Sequence, residues 1–145
     1  MATLRDLLRG ATHLLAPLTA NCRVFHENWE RAADLPSPGG RWAGEWRSLS
    51  TGHSGPLRCV LEVENERLWR LTFHAGYARI FRACYCTSMT VARVEDRWTF
   101  RGRSDLGRLA GGVYEHEGEA TSERFHSRYR CSAEHGEFNM MRQGV

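Results

Sequence analysis

Seven histidines and five cysteines are the residues of this 145-residue chain best suited to metal, redox or acid–base chemistry, and their spacing limits how much of it to expect. The cysteines (Cys22, Cys59, Cys84, Cys86, Cys131) are odd in number and form no C-x-x-C pair, so they match neither paired zinc hooks nor a dense disulfide framework. Cys84 and Cys86, one residue apart, would share a face of a strand and be poorly placed to bridge each other. Reduced thiols are the default, and a disulfide from Cys59 to another cysteine is the form an exported chain would take. No two histidines have metal-ligand spacing, so neither a metal nor a cofactor is expected. General acid–base catalysis needs a carboxylate or imidazole held near a substrate and away from bulk water. Strand alternation sends the carboxylates outward or into turns, leaving His116, Tyr114, Tyr129, Arg142 and the cysteines as the inward titratable groups. A lone inward histidine can ligate haem or orient a ligand, but more commonly it is satisfied by a neighbouring hydroxyl, here Tyr129 or Ser127. His53, in the turn Thr51-Gly52-His53-Ser54-Gly55, lacks the context of a nucleophile elbow and is expected to cap backbone groups. No enzyme is expected.

Charge and composition exclude other classes. Arginine supplies all 20 basic residues and the net charge is only +3, a pattern that fits a GC-rich coding sequence better than selection for phosphate contacts, so no nucleic acid is expected as partner. With 26% charged and 41% apolar residues, the chain has the balance of a soluble globular protein of one hydrophobic core. No run approaches the ~18 apolar residues of a membrane span. Arg5 and Arg9 precede a short apolar stretch that resembles a degenerate export signal, interrupted by Asp6 and His13 and followed by Asn21-Cys22. Localisation and oligomeric state stay open.

The elements that must position these residues follow from periodicity. Leu4, Leu7, Leu8, Leu14, Leu15 and Leu18 predict a short helix from Thr3 to about Leu18, ending where Pro17 interferes. Asn21 to Gly40, with two prolines and two glycines near its end, reads as a linker within which Phe25 and Trp29 pack onto the domain. Residues 1–39 thus form a helix and linker and residues 40–145 a β domain, for which the first 38 residues should be dispensable. Trp42, Gly44, Trp46 and Ser48 alternate with charged residues to open the first strand. Further period-two runs follow at Pro56–Glu64, around Trp69–Ala75, at Cys84–Val94, Trp98–Ser104, Val113–Ala120, Glu123–Ser132 and Gly136–Gln143, with Gly76–Arg82 irregular. Glu115, Glu117 and Glu119 on one strand beside Arg124, Arg128 and Arg130 on the next predict outward cross-strand charge pairs.

Eight strands with short turns and one apolar face each predict an all-β fold, an eight-stranded antiparallel up-and-down barrel that removes exposed edges. The predicted inward face includes Trp42, Trp46, Trp69, Phe73, Phe100 and Phe138. Gly40-Arg41-Trp42 at the start, with Arg142 on the last strand, resembles the calycin arrangement of lipocalins, fatty-acid-binding proteins and avidins, in which a G-x-W tryptophan near the barrel floor packs against a basic residue from the chain's end. The chain is also similar to uncharacterised bacterial barrels of this type. It departs from lipocalins in lacking their long C-terminal helix. The resemblance implies a non-catalytic barrel for a small apolar or aromatic ligand, with Trp42, Trp46, Tyr114, His116, Tyr129 and Arg142 as the site. A filled barrel acting as an interaction or envelope-associated module is one alternative, and a haem-binding barrel using His116 is another. Arg142 is expected to cover the Trp42 ring in a cation–π contact.

Overall fold

The computed structural model describes residues 15–77, 81–105 and 112–144. A helix, α1 (Leu15–Arg31), and a short 3-10 turn (Ala32–Asp34) precede eight strands: β1 (Gly40–Ser48), β2 (Ser54–Asn65), β3 (Leu68–Tyr77), β4 (Phe81–Val94), β5 (Arg97–Asp105), β6 (Val113–Ala120), β7 (Arg124–Arg130) and β8 (His135–Arg142). Each strand pairs antiparallel with the next, and β8 returns to β1 to close the barrel. The closing register runs from Trp42 opposite Arg142 to Ser48 opposite Gly136.

The period-two pattern is the cause of this shape. Each strand turns every second residue inward, so Trp42, Trp46, Leu57, Leu61, Trp69, Leu71, Phe73, Phe100, Phe125 and Met140 meet in one buried core. At about 25 cal/mol per Å2 of apolar surface, burying such side chains is the main favourable term for the fold. Close curvature requires the absence of a side chain at particular points. A Cβ on Gly44 would run into the Asn139 carbonyl, and one on Gly136 would meet both the Arg47 carbonyl and the Tyr129 ring. On the outside, Arg130 pairs with Glu115 at 2.8 Å and Arg128 with Glu117 at 3.5 Å, as expected of a solvated charge ladder, while Glu119 pairs at 3.2 Å with Arg97 of β5 rather than with an arginine of β7.

The N-terminal segment differs from its predicted form. The helix runs to Arg31, well past Leu18, so Pro17 does not end it and the stretch from Asn21 to Arg31, read as linker, is helical. The predicted stretch from Thr3 to Leu14 lies outside the described residues. Phe25 and Trp29 do pack on the barrel. Phe25 is fully buried with Val60 and Cys84, and the Arg58 guanidinium lies 5.3 Å from the Phe25 ring and 5.2 Å from the Trp29 ring. Arg41 adds a hydrogen bond, its Nε donating to the Trp29 carbonyl at 2.6 Å. The barrel wall is therefore two-layered at β2–β4: Thr72 and His74 point outward, as alternation requires, yet are buried beneath α1.

Two cysteines are not free. Cys22 of α1 and Cys84 of β4 form a disulfide, which replaces the expectation of reduced thiols. Cys59 faces the core as a buried free thiol and is not the bridging residue; Cys86 and Cys131 are also free. Sequence spacing could not show the bridge, since it depends on α1 lying across β4.

Candidate functional site

The interior rings sort into two belts at the two ends of the barrel. The floor, on the side of the 35–39 linker, holds Trp42, Phe125, Phe100, Trp69 and Trp98, with successive ring centroids 4.8–6.0 Å apart. Trp42 Nε1 donates to the Pro38 carbonyl at 3.1 Å, so the indole is oriented by the linker. Arg142 closes the floor beside it, but not over the ring. Its Nε donates to the Gly39 carbonyl at 3.0 Å and its Nη2 to the Gly39 and Leu35 carbonyls at 2.9 and 2.7 Å. The cation–π pairs among the described residues are Arg41 and Arg58 over α1 rings and Arg93 over Trp98, and the expected Arg142–Trp42 contact is not one of them. The physical reason is competition: three carbonyl bonds to a guanidinium outweigh one contact with a ring face.

The upper belt is chemically different. Phe73, Tyr85, His116, Tyr129 and Phe138 lie with centroids 5.1–6.4 Å apart, and Tyr114 joins through Tyr129 at 6.1 Å. Trp46 stands on the neighbouring strand opposite Phe138, its Nε1 donating to the Gly76 carbonyl at 2.9 Å. Of the six predicted site residues, the structure brings Tyr114, His116, Tyr129 and Trp46 to this end and puts Trp42 and Arg142 at the other. His53, expected to cap backbone, turns its ring edge-on to Tyr77, 5.9 Å away.

His116 is the least satisfied group of the interior. It is 3% exposed and neither ring nitrogen has a hydrogen-bond partner in the protein, in contrast to the expected bond to Tyr129 or Ser127. Burial pushes its pKa down to about 4, because a charged imidazolium would lose its hydration without gaining an anion. Thr87 Oγ1, Ser104 Oγ and Ser127 Oγ are likewise buried without partners. These four residues project inward from β4, β5, β6 and β7, which are consecutive strands, so one wall carries the polar atoms. The facing strands supply Phe73, Leu57, Leu71, Trp46 and Phe138.

A buried carboxylate escaped the reading by alternation. Glu134, in the turn before β8, is 4% exposed and folds in over the upper end, accepting from Ser48 Oγ at 3.0 Å and from the Tyr129 hydroxyl at 3.5 Å. Burial raises the pKa of Tyr129, with the Glu134 charge adding to the effect, and burial likewise raises those of Tyr114 and Tyr85. All three tyrosines therefore remain neutral donors at neutral pH. The set can orient a molecule through neutral hydrogen bonds between aromatic faces, and supplies neither an ionised phenol nor a charged imidazole. Among the described residues, no helix is long and apolar enough to cross a membrane. No protein-family model, curated protein or solved structure matches this chain, so the barrel and its polar-walled interior are described from their own geometry.

Proposed function

We propose that the barrel is a non-catalytic binder of one small flat molecule, apolar over most of its surface and carrying a hydrogen-bonding atom, seated against the upper belt beside His116. One observation carries this reading: five buried polar atoms on Thr87, Ser104, His116 and Ser127 face one interior from adjacent strands without a protein partner. Leaving such an atom unpaired costs about 1–3 kcal/mol, and folds keep such groups where something else meets them. An eight-stranded barrel has room for side chains and one small ligand. Trp42 and Arg142, side by side at the floor, support the calycin resemblance, but they belong to barrel closure rather than to the ligand site.

A panel of bicyclic aromatics with and without a hydroxyl tests this reading. Hydroxylated members should quench tryptophan fluorescence with saturation and raise the melting temperature, and at 100 times the dissociation constant the stabilisation is about 2.7 kcal/mol. His116→Leu should weaken the hydroxylated members selectively. If no member saturates, the filled barrel acting through its outer surface replaces this reading. The haem alternative requires a porphyrin to part His116 from Phe73 and Tyr85, on which it is stacked, and from Phe138, against which it is tilted. A Soret band on adding haem, lost in His116→Leu, would favour it.

A further inference from the structure

The layer between α1 and the barrel wall collects a second set of reactive side chains, on the outer face of the wall whose inner face carries Phe73 and Tyr85 of the upper belt. Cys22 on α1, His74 on β3 and Cys84 on β4 place one sulfur, one imidazole nitrogen and one sulfur all within 4.8 Å of one another. Each is positioned by regular structure. His74 and Cys84 are direct partners across the β3–β4 ladder, where opposite Cβ atoms lie about 5 Å apart. Cys22 comes down onto them from the helix. One turn further along α1, at the i+4 position that shares its face, stands His26, whose ring centroid is 5.5 Å from that of His74. His74 and Cys84 are buried, and Phe25 closes the adjacent space with its ring 5.0 Å from His74.

Two thiols and two imidazoles converging from a helix and two paired strands are the donor set of a tetrahedral site for a soft or borderline divalent ion. We propose that in the reduced protein Cys22, His74 and Cys84 bind a zinc-class divalent cation, with His26 supplying the fourth ligand. The disulfide seen in the structure is then the oxidised, metal-free form of the same site. Interconversion balances simply. Two equivalents of a small-molecule thiol reduce the Cys22–Cys84 bond to two protein thiols and leave as their own disulfide. The cation then binds as both thiols release their protons, forming two metal–sulfur bonds. Two thiolates neutralise the dication, so the bound site carries no net charge. Either state ties α1 to β3–β4, so the helix stays docked through the exchange.

The expectation from sequence that no metal set exists rested on spacing along the chain. Cys22-x-x-x-His26 and His74 with Cys84 are separated by 47 residues that the fold removes, from His26 to the next ligand at His74.

Cobalt(II) added to the full-length chain, reduced with a phosphine in metal-free buffer, tests the proposal. One equivalent should bind with the intense visible bands of a tetrahedral thiolate-ligated ion and with near-ultraviolet sulfur-to-cobalt charge transfer. Zinc should displace it, and the unreduced protein should give no signal. Cys22→Ser, Cys84→Ser and His74→Ala should each lower the affinity by more than the about 10–100-fold that losing an outer-shell partner costs. His26→Ala should alter the visible bands as water takes the fourth position. Cys86→Ser and Cys131→Ser should leave the spectrum unchanged. Far-ultraviolet dichroism on every variant separates loss of the site from loss of the fold. Failure of the reduced chain to take up cobalt, or retention of the full spectrum in Cys84→Ser, would overturn the proposal and leave the disulfide as a purely structural bridge.

Discussion

Replacing His116 by leucine should make the protein more stable at neutral pH and less sensitive to acid. The two partnerless ring nitrogens cost about 1–3 kcal/mol each when buried. The variant gives up the ring contacts with Phe73, Tyr85 and Phe138, worth about 0.5–1.5 kcal/mol each beyond area burial. At the middle of these ranges the net gain is about 1 kcal/mol at pH 7.5, or roughly 3 °C in melting temperature for a chain of this size. Acid supplies a second, independent readout. The folded imidazole has its pKa held down to about 4, whereas the unfolded one titrates near its ordinary value of 6.5. Between those values the unfolded state takes up a proton that the native state refuses, so native stability falls as pH drops from about 6.5 to 4. The loss amounts to about 3 kcal/mol at 1.36 kcal/mol per pH unit. His74 is also pushed down to about 4, by burial and by the charge of Arg58, and contributes a similar slope to both proteins. The difference between wild type and variant therefore isolates His116. Urea unfolding followed by tryptophan fluorescence at pH 7.5, 6, 5 and 4.5 measures it. A His116→Leu variant less stable than wild type by more than about 1 kcal/mol at pH 7.5, with an unchanged acid slope, would refute the reasoning and show that the imidazole is bonded in solution.

Arg142→Ala should cost about 1.5–3 kcal/mol, since three guanidinium bonds to linker carbonyls are lost, whereas exposed Arg101→Ala should stay within about 0.5 kcal/mol; equal effects in urea titrations would count against the floor closure. Reducing the Cys22–Cys84 bridge, which spans 62 residues of sequence, should lower stability by about 4 kcal/mol in metal-free buffer, read as a shift in urea midpoint. Gly136→Ala should be far more damaging than its size suggests, at 3 kcal/mol or more by order of magnitude, because the new Cβ meets the Arg47 backbone and the Tyr129 ring; a thermal melt within about 2 °C of wild type would contradict this. A chain beginning at Gly39 should still unfold cooperatively, at a lower urea midpoint because Val60, Thr72 and Cys84 lose their cover, and a non-cooperative profile would show that the barrel depends on α1.

The barrel was legible because its information is local. Alternation at Leu57, Cys59 and Leu61, or at Tyr114, His116 and Gly118, states directly which side chains face inward, and a closed sheet is how eight such strands bury one face each. From the sequence the linker starts too early, at Asn21, because Pro17 reads as a breaker, whereas the chain is helical from Leu15 to Arg31. A signal for the second layer was present: Val60 between Cys59 and Leu61 makes an apolar run with no outward polar residue, the mark of a strand covered on both faces. Its partner could not be identified from the sequence, since contact between α1 and β4 depends on how the helix crosses the wall. Nor could the state of His116 be read. Whether an inward nitrogen meets the Tyr129 hydroxyl depends on strand tilt and stagger, and here that hydroxyl goes to Glu134 instead.

The even number of strands has a practical consequence for handling the molecule. β1 begins and β8 ends at the floor, so a surface tether or fluorescent label placed after Arg142 leaves on the side opposite Glu134 and the upper belt. α1 climbs the outer wall from the 35–39 linker, so Cys22 is fastened to Cys84 in the first turns of β4, near the upper end. Immobilised by its C-terminus, the protein would present the His116 end to solution, and a probe on the helix side would report from the flank of that opening rather than from beneath it.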